Sequence, residues 1–312
     1  MQLFIYEYLA SGAAKNASAL PSLQAEGQAM LWALLEDFAR CPEVQVSTLR
    51  GVQPAAEKDA FCSRAAAADW SLVIAPEFEG ILAERSRWVV EAGGRLVGAT
   101  LPAIDATADK LHLARLWAAR GVPTPSLEPK YPLVCKPRFG AGSQATFLVY
   151  NEAELAQARH RAYAEGWSGE LMVQQYAPGL AVSVAFLAGG GERHSLPAAE
   201  QRLSRDGRFR YLGGRLPLPD HLARRARRLA ERAAECIEGL HGWFGVDLVL
   251  GEAADGSGDA AIEINPRLTT SYLGLRRLAR FNLAEALLAT VTGAAMPPWE
   301  WGSETIVFRA EG

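Results

Sequence analysis

Residues Gly245 to Thr270, GVDLVLGEAADGSGDAAIEINPRLTT, carry side chains whose types and spacing suit metal chemistry. Two short apolar runs, Val246 to Leu250 and Ala260 to Ile264, flank the turn-rich DGSGD, so the stretch reads as a β-hairpin. Side chains alternate along a strand, so Glu263 and Asn265 share a face, and Asp247 on the partner strand can join them across the hairpin. Two carboxylates and one amide oxygen are a donor set for a hard cation, Mg²⁺ or Mn²⁺. Any one of them alone reads more readily as a solvated polar residue at a strand end. Polar side chains committed to one side of an apolar strand need partners, and a metal ion is one. Arg267, just past Pro266, adds a planar positive fork that suits a phosphate or a developing oxyanion.

A second constellation is YPLVCKPRFGAGS, in which Lys136 closes an apolar strand where a solvated lysine is not expected. Gly140 and Gly142, with Ala141 between them, allow positive φ and close backbone approach, and with Ser143 they can aim N–H and O–H donors at phosphates. The loop leads into Thr146 to Tyr150, a strand-like run, so it lacks the helix that a dinucleotide fingerprint requires, and no GxxxxGK[ST] occurs. A flexible lid between two strands, closing over a triphosphate, fits better. Gln174, Gln175 and Tyr176 end a strand before Pro178 and Gly179, a tip that can offer backbone donors and acceptors to an adenine edge. Gln201 to Gly214 reads as a basic hairpin on the cleft wall, where Arg202 either reaches a phosphate or belongs to a solvated face.

The elements around these residues imply an α/β chain of more than one domain. Leu3 to Tyr8, Val44 to Leu49, Leu72 to Ala75 and Arg95 to Ala99 read as short strands. Ala10 to Leu20 is a small-residue loop. Ser22 caps a helix with apolar positions Leu31, Leu34, Leu35 and Phe38, and a second helix spans Gly80 to Ala92. Alternating strands and helices predict a parallel sheet covered on both faces over residues 1–100, with ligands outside the carboxyl ends of its strands. Those ends carry Glu7, Tyr8, Ser11, Glu77 and Glu79, the candidates for holding the acceptor substrate. One helix is expected over Pro102 to Arg120, others over Glu152 to Glu165 and Asp220 to Leu240, and two within Ser271 to Thr292. The remaining boundaries are a lid subdomain over 101–176 and a metal-binding subdomain over 177–312.

With 49% hydrophobic and 21% charged residues, the 312-residue chain has the make-up of a soluble globular enzyme. A formal net charge of −3 gives no electrostatic case for nucleic acid or an anionic membrane as main partner. Cys41, Cys62, Cys135 and Cys236 are scattered without a CxxC pair and read as small buried hydrophobes in a reducing compartment. The start MQLFIYEYLA has no basic n-region and carries Glu7, so it is not read as a signal peptide, and the cytoplasm is the expected location.

Through LVCKPRFGAGS, VQQYAPGLAVSV, and GVDLVL paired with IEINPR, residues 100 to 295 resemble the ATP-grasp superfamily of carboxylate ligases, preceded by that family's usual α/β domain. The resemblance implies an α+β fold in which two subdomains grip ATP. By position it assigns Lys110 and Lys136 to the ATP phosphates, Gly140 to Ser143 to the lid, Gln174 to Tyr176 to the adenine, and Asp247, Glu263 and Asn265 to Mg²⁺ or Mn²⁺. Where many members have a ribose-binding glutamate, this chain has Leu180, Ala181 and Val182. The implied chemistry is acyl-phosphate formation followed by amide formation, with Arg267 and Lys136 steadying charge. IYEYLASG, IAPEFEGIL, ATADK and the YLGG turn, whose Gly213 and Gly214 fall on the substrate side, look most like ligases joining tyramine to L-glutamate in methanofuran-type cofactor synthesis, related to one-carbon metabolism. On that reading Tyr6, Tyr8 or Trp70 stacks against the aromatic amine. Alternatives are a ligase of the D-alanine ligase type and a silent nucleotide-binding protein. A homodimer is expected only by analogy.

Overall fold

The computed structural model describes residues 1–14 and 21–309, so most of the expected loop at Ala10 to Leu20 lies outside the described residues. Strands β1 (Gln2–Glu7), β2 (Gln45–Thr48) and β3 (Trp70–Ile74) form a parallel sheet in the order β2-β1-β3. Helices α1 (Pro21–Phe38), α2 (Glu57–Ala67) and α3 (Ile81–Glu91) accompany it. β1 is buried from Leu3 to Glu7, as a strand covered on both faces must be. α2 is absent from the sequence reading; its alanine-rich, weakly amphipathic run gives little periodic signal. Ser22 lies inside α1 rather than capping it, and its hydroxyl donates to Glu26. The expected strand at Arg95 to Ala99 is reduced to a bridge between Leu96 and Ser71, because the chain turns away to pack Gly98 against Gly242.

The single helix expected at Pro102 to Arg120 is two, α4 (Leu101–Ala108) and α5 (Lys110–Ala119). Asp109 breaks it. Its backbone is extended (φ −85°, ψ 91°) and its carboxylate accepts the amides of Leu111 and His112, the capping role aspartate favours over a helix interior. Arg138 closes on the same carboxylate at 2.7 Å, tying the break to the strand that bears Lys136.

A small antiparallel sheet follows, β5 (Phe147–Val149), β4 (Leu133–Pro137) and β6 (Leu171–Gln175) in that order, covered by α6 (Glu152–Ala164). It has its own core, with Leu133, Cys135, Phe147 and Leu155. α4 and α5 belong instead to the larger core, where the Trp117 indole donates to Ala233 O at 3.0 Å.

The third sheet is antiparallel. It runs β12 (Ala260–Asn265), β11 (Gly242–Leu250), β7 (Leu180–Gly189), β9 (Ala199–Leu203), β10 (Tyr211–Leu216), β13 (Ile306–Phe308), with β8 (Glu192–Ser195) paired to β7. Helices α7 (Asp220–Ala234), α8 (Ser271–Leu278) and α9 (Leu283–Thr292) pack on it, α7 burying Ala226, Leu229, Ala230 and Ala233. The N-terminal sheet is fastened to this body through Asp37 at the end of α1. That buried carboxylate accepts from Tyr272 and from Arg276 Nη2 at 2.7 Å. Among the described residues no helix is long and apolar enough to cross a membrane.

Candidate active site

One continuous cavity of about 290 Å³ lies where the three sheets meet. β11 and β12 pair antiparallel with Asp247 directly opposite Glu263, as the hairpin reading requires. The register then slips, pairing Leu248 with Ala261, so Ile262 is an extra residue. This bulge turns consecutive side chains, Ile262 and Glu263, onto the cavity, which strict alternation does not predict.

Asp247 accepts from Gln201 Nε2 at 3.0 Å and from Asn265 Nδ2 at 3.1 Å. Burial, and then repulsion from Glu263, push its pKa up to about 7. Burial acts to raise Glu263 too, but Lys110 and Lys136 outweigh it and hold that carboxyl well below the usual range. Lys110 lies 3.2 Å from Glu263, whereas among the described residues no cationic side chain pairs with Asp247. Two half-buried facing carboxylates and an amide, with one directly paired lysine, fit a divalent cation: the donors are hard oxygens.

Above the pair sits the glycine loop expected to act as a lid. Alternation along β4 sends Leu133 and Cys135 into the small core and Val134 and Lys136 to the cavity. Burial pushes the Lys136 ammonium down to about 8, with Glu263 opposing and Lys110 adding to the shift. The Lys110 ammonium donates to Gly140 O at 2.7 Å, and the Ser143 hydroxyl donates to Phe209 O at 2.8 Å in the turn between β9 and β10. At Gly142 the backbone is left-handed (φ 63°), where a side chain is strained, and a Cβ would lie 2.6 Å from the Leu23 side chain of α1. Gly140, Ala141, Gly142 and Ser143 all line the cavity, as do Gln174, Gln175 and Tyr176. The Gln175 and Tyr176 amides, however, donate to Ser126 O and Pro132 O, so these are not the donors available to a base edge. Ala181, where a ribose-binding acid is missing, opens β7 at the cavity wall.

Arg267 reaches the cavity held by Glu77. Its Nη2 donates to Glu77 Oε2 at 3.1 Å, and Nε lies 2.9 Å from Oε1 as an ion-pair contact without hydrogen-bonding geometry. Glu77 therefore positions the arginine across 190 residues of sequence and does not itself line the cavity.

Glu7 is the one expected acceptor-binding residue at the cavity; burial pushes its carboxyl up to about 7 despite hydrogen bonds from the Ala10 and Leu9 amides and the nearby charge of Arg267. The others stand elsewhere. The Ser11 hydroxyl is consumed within its own turn, donating to Tyr8 O at 2.7 Å and accepting from the Ala13 amide at 3.0 Å. Tyr8 lies under the Arg85 guanidinium at 4.9 Å. Glu79 is exposed on the turn before α3. Tyr6 is buried in the core with its hydroxyl on Glu57, and Trp70 begins β3 at the end remote from the cavity, so neither stacks on a ligand there. Arg202 points to solvent, because alternation along β9 gives the cavity to Gln201 and Leu203. Gly213 and Gly214 serve packing: a Cβ would meet Phe308 O at 2.2 Å or the Phe308 ring at 2.6 Å. Residues that sequence reasoning missed include Gln201, Tyr211, Thr270 and the α1 side chains Leu23, Glu26 and Met30. The i, i+3, i+4, i+7 spacing from Leu23 was a usable signal, masked by the stronger apolar stripe at Leu31.

The chain is 28% identical over 220 residues to the tyramine–L-glutamate ligase of Methanocaldococcus jannaschii, covering 70% of this chain and 62% of that protein. It is 27% identical over 244 residues to the enzyme of that name from Methanocaldococcus fervens, covering 78% and 70%. The match thus spans less than two thirds of the first relative's length. Among solved structures, an ATP-grasp superfamily protein from Archaeoglobus fulgidus superposes with a TM-score of 0.73 at 24% identity over 99% of this chain and 98% of that one. Biotin carboxylase from Campylobacter jejuni, in a β-γ-ATP complex, gives 0.72 at 17% identity over 95% and 72%. Residues 33–104 match the pre-ATP-grasp domain model and residues 107–271 the ATP-grasp domain model, and the chain belongs to the ATP-grasp family.

Proposed function

We propose that the protein is an ADP-forming ligase that joins a carboxylate to an amine through an acyl phosphate, with L-glutamate as the acid and tyramine as the amine. One observation carries the reaction class: Lys110, Lys136, Asp247 and Glu263 converge on one stretch of the cavity, under a glycine loop and beside Arg267. Similarity to tyramine–L-glutamate ligases supports the substrate pair.

Asp247, Glu263 and Asn265 would hold Mg²⁺ or Mn²⁺, which supplies charge neutralisation on the triphosphate and polarises the γ-phosphoryl group. Lys110 and Lys136 bind phosphate oxygens, Lys110 exchanging its present partners, Glu263 and the Gly140 carbonyl, for them. A carboxylate oxygen of the acid attacks the γ-phosphorus, the bond to the β-phosphate oxygen breaks, and ADP leaves. Arg267, held rigid by Glu77, stabilises negative charge on the transferring group and then on the tetrahedral adduct. The neutral amine nitrogen attacks the acyl carbon, the bond to the phosphate oxygen breaks, and the proton lost from nitrogen leaves on the departing phosphate. The lid loop excludes water, which would otherwise hydrolyse the acyl phosphate.

The test is phosphate release and product mass for the purified protein with ATP, Mg²⁺, L-glutamate and a panel of amines and amino acids. Tyramine-dependent release with a γ-glutamyltyramine product is expected. Turnover confined to amino-acid acceptors, or none with any acceptor, removes the proposal.

A further inference from the structure

The two lysines at the phosphate end come from different parts of the fold. Lys110 opens α5, which is anchored in the larger core through Leu113 and Trp117. Lys136 stands on β4, whose alternate residues Leu133 and Cys135 belong to the small core. Packing within either core does not by itself fix the gap between the two side chains, and repulsion between two ammonium groups tends to widen it. They are close enough to feel one another, since the charge of Lys110 adds to the downward shift of Lys136.

A polar joint spans that gap. Arg138, two residues past Lys136, lays its guanidinium on the carboxylate of Asp109, the residue before Lys110: Nε donates to Oδ1 at 2.7 Å and Nη2 donates to Oδ2. The backbone repeats the link, with the Lys110 amide donating to Arg138 O at 3.1 Å and the Arg138 amide to Glu170 O at 2.9 Å. A bidentate fork fixes direction as well as distance, and this one is shielded, with the arginine side chain 27% exposed and the aspartate 16%. Capping α5 does not require the charge, because asparagine caps a helix as well as aspartate does. The charge serves Arg138, whose hydrogen bonds are the largest of the effects on the Asp109 carboxyl and hold it below its usual range.

We infer that Asp109 and Arg138 are positioning residues for nucleotide binding: their pair sets the spacing of Lys110 and Lys136, so that both ammonium groups meet one triphosphate. Neither residue lines the cavity, so each acts through the lysine beside it in the chain. The inference rests on the ligase reading for the triphosphate.

Full-length wild type, Asp109→Asn, Arg138→Gln, the double variant and Arg138→Lys are compared, with circular dichroism to check the fold. Asparagine keeps an acceptor for the Leu111 and His112 amides, so the helix cap survives while the ion pair is lost. Calorimetry with Mg²⁺ and the β,γ-imido analogue of ATP reads nucleotide affinity, and phosphate release with ATP, L-glutamate and tyramine reads turnover. Asp109→Asn and Arg138→Gln should each weaken the analogue about tenfold and raise KM for ATP to match, with KM for glutamate and tyramine unchanged. The double variant should bind little worse than the weaker single, because one pair has been removed twice. Arg138→Lys keeps the charge without the fork and should recover part of the loss. If the analogue binds and the variants behave in this way but no acceptor supports turnover, the ligase reading fails and the joint stands. Unchanged analogue affinity in both single variants, or losses that add in the double, overturns the joint and leaves the ligase reading intact. Wild type that binds no nucleotide overturns both.

Discussion

Replacing Glu77 by glutamine should damage stability and catalysis together, because it strands Arg267. The guanidinium Nε and Glu77 Oε1 are 2.9 Å apart in a site where the glutamate side chain is 4% exposed and the arginine 15%. At an effective dielectric near 20, attraction at that distance is roughly 6 kcal/mol before desolvation is counted. Removing one partner of such a buried pair costs about 3–5 kcal/mol. Glutamine keeps an acceptor for Nη2, worth about 1 kcal/mol, so a net loss of about 2–4 kcal/mol is expected. Urea denaturation followed by tryptophan fluorescence measures it. Phosphate release on the same variant should show kcat lowered about tenfold or more through misplacement of Arg267, with KM for ATP little changed, since Lys110, Lys136 and the carboxylates are untouched. The double variant Glu77→Gln/Arg267→Met removes the orphaned charge and should be more stable than Glu77→Gln alone. A single variant as stable and as active as wild type, or a double variant whose losses merely add, would refute the reasoning.

Glu263→Gln should fold normally by circular dichroism but lose turnover, and should bind Mn²⁺ at least tenfold more weakly by electron paramagnetic resonance; retained activity would remove it from the metal set. Gly142→Ala puts a Cβ 2.6 Å from Leu23 at a φ of 63°. It should hold the lid off its seat, so phosphate release should exceed amide formation, and Leu23→Ala in the same chain should restore part of the coupling. Glu7 is raised by burial from 4.5 to about 7, so the folded state binds its proton more tightly than the unfolded state, and stability falls as pH rises across that interval. Glu7→Gln lacks that dependence and should exceed wild type above pH 7 by roughly 2–4 kcal/mol; parallel pH–stability curves for the two proteins would show the burial argument to be mistaken.

The β11–β12 hairpin and its candidate metal set were legible because period-two alternation and a turn-rich connection are local: a strand forces Glu263 and Asn265 to one side, whatever it packs against. The same holds for Lys136, whose place on an apolar strand next to glycines needs no distant partner to be noticed. Reading failed where a second partner sets the outcome. One long helix over Pro102 to Arg120 suited the propensities, but Asp109 found two amides to cap and Arg138 to pair with. Arg202 and Gln201 are adjacent, and only the register of β9 gave the glutamine to Asp247.

From the amino-acid sequence alone followed the ATP-grasp resemblance, a candidate metal set on one hairpin, and the strand–helix alternation of the N-terminal sheet, each carried by spacings of a few residues. Which of the acids at the sheet ends would meet substrate was decided by tertiary structure. Glu77 is spent on Arg267 across 190 residues; Glu7 is left facing the cavity because Gly27 makes room for it; and α1, read as a core helix, supplies a wall through its other stripe. The physical reason is that a side chain's face follows from its own strand or helix, whereas its partner depends on how separate elements are laid against one another.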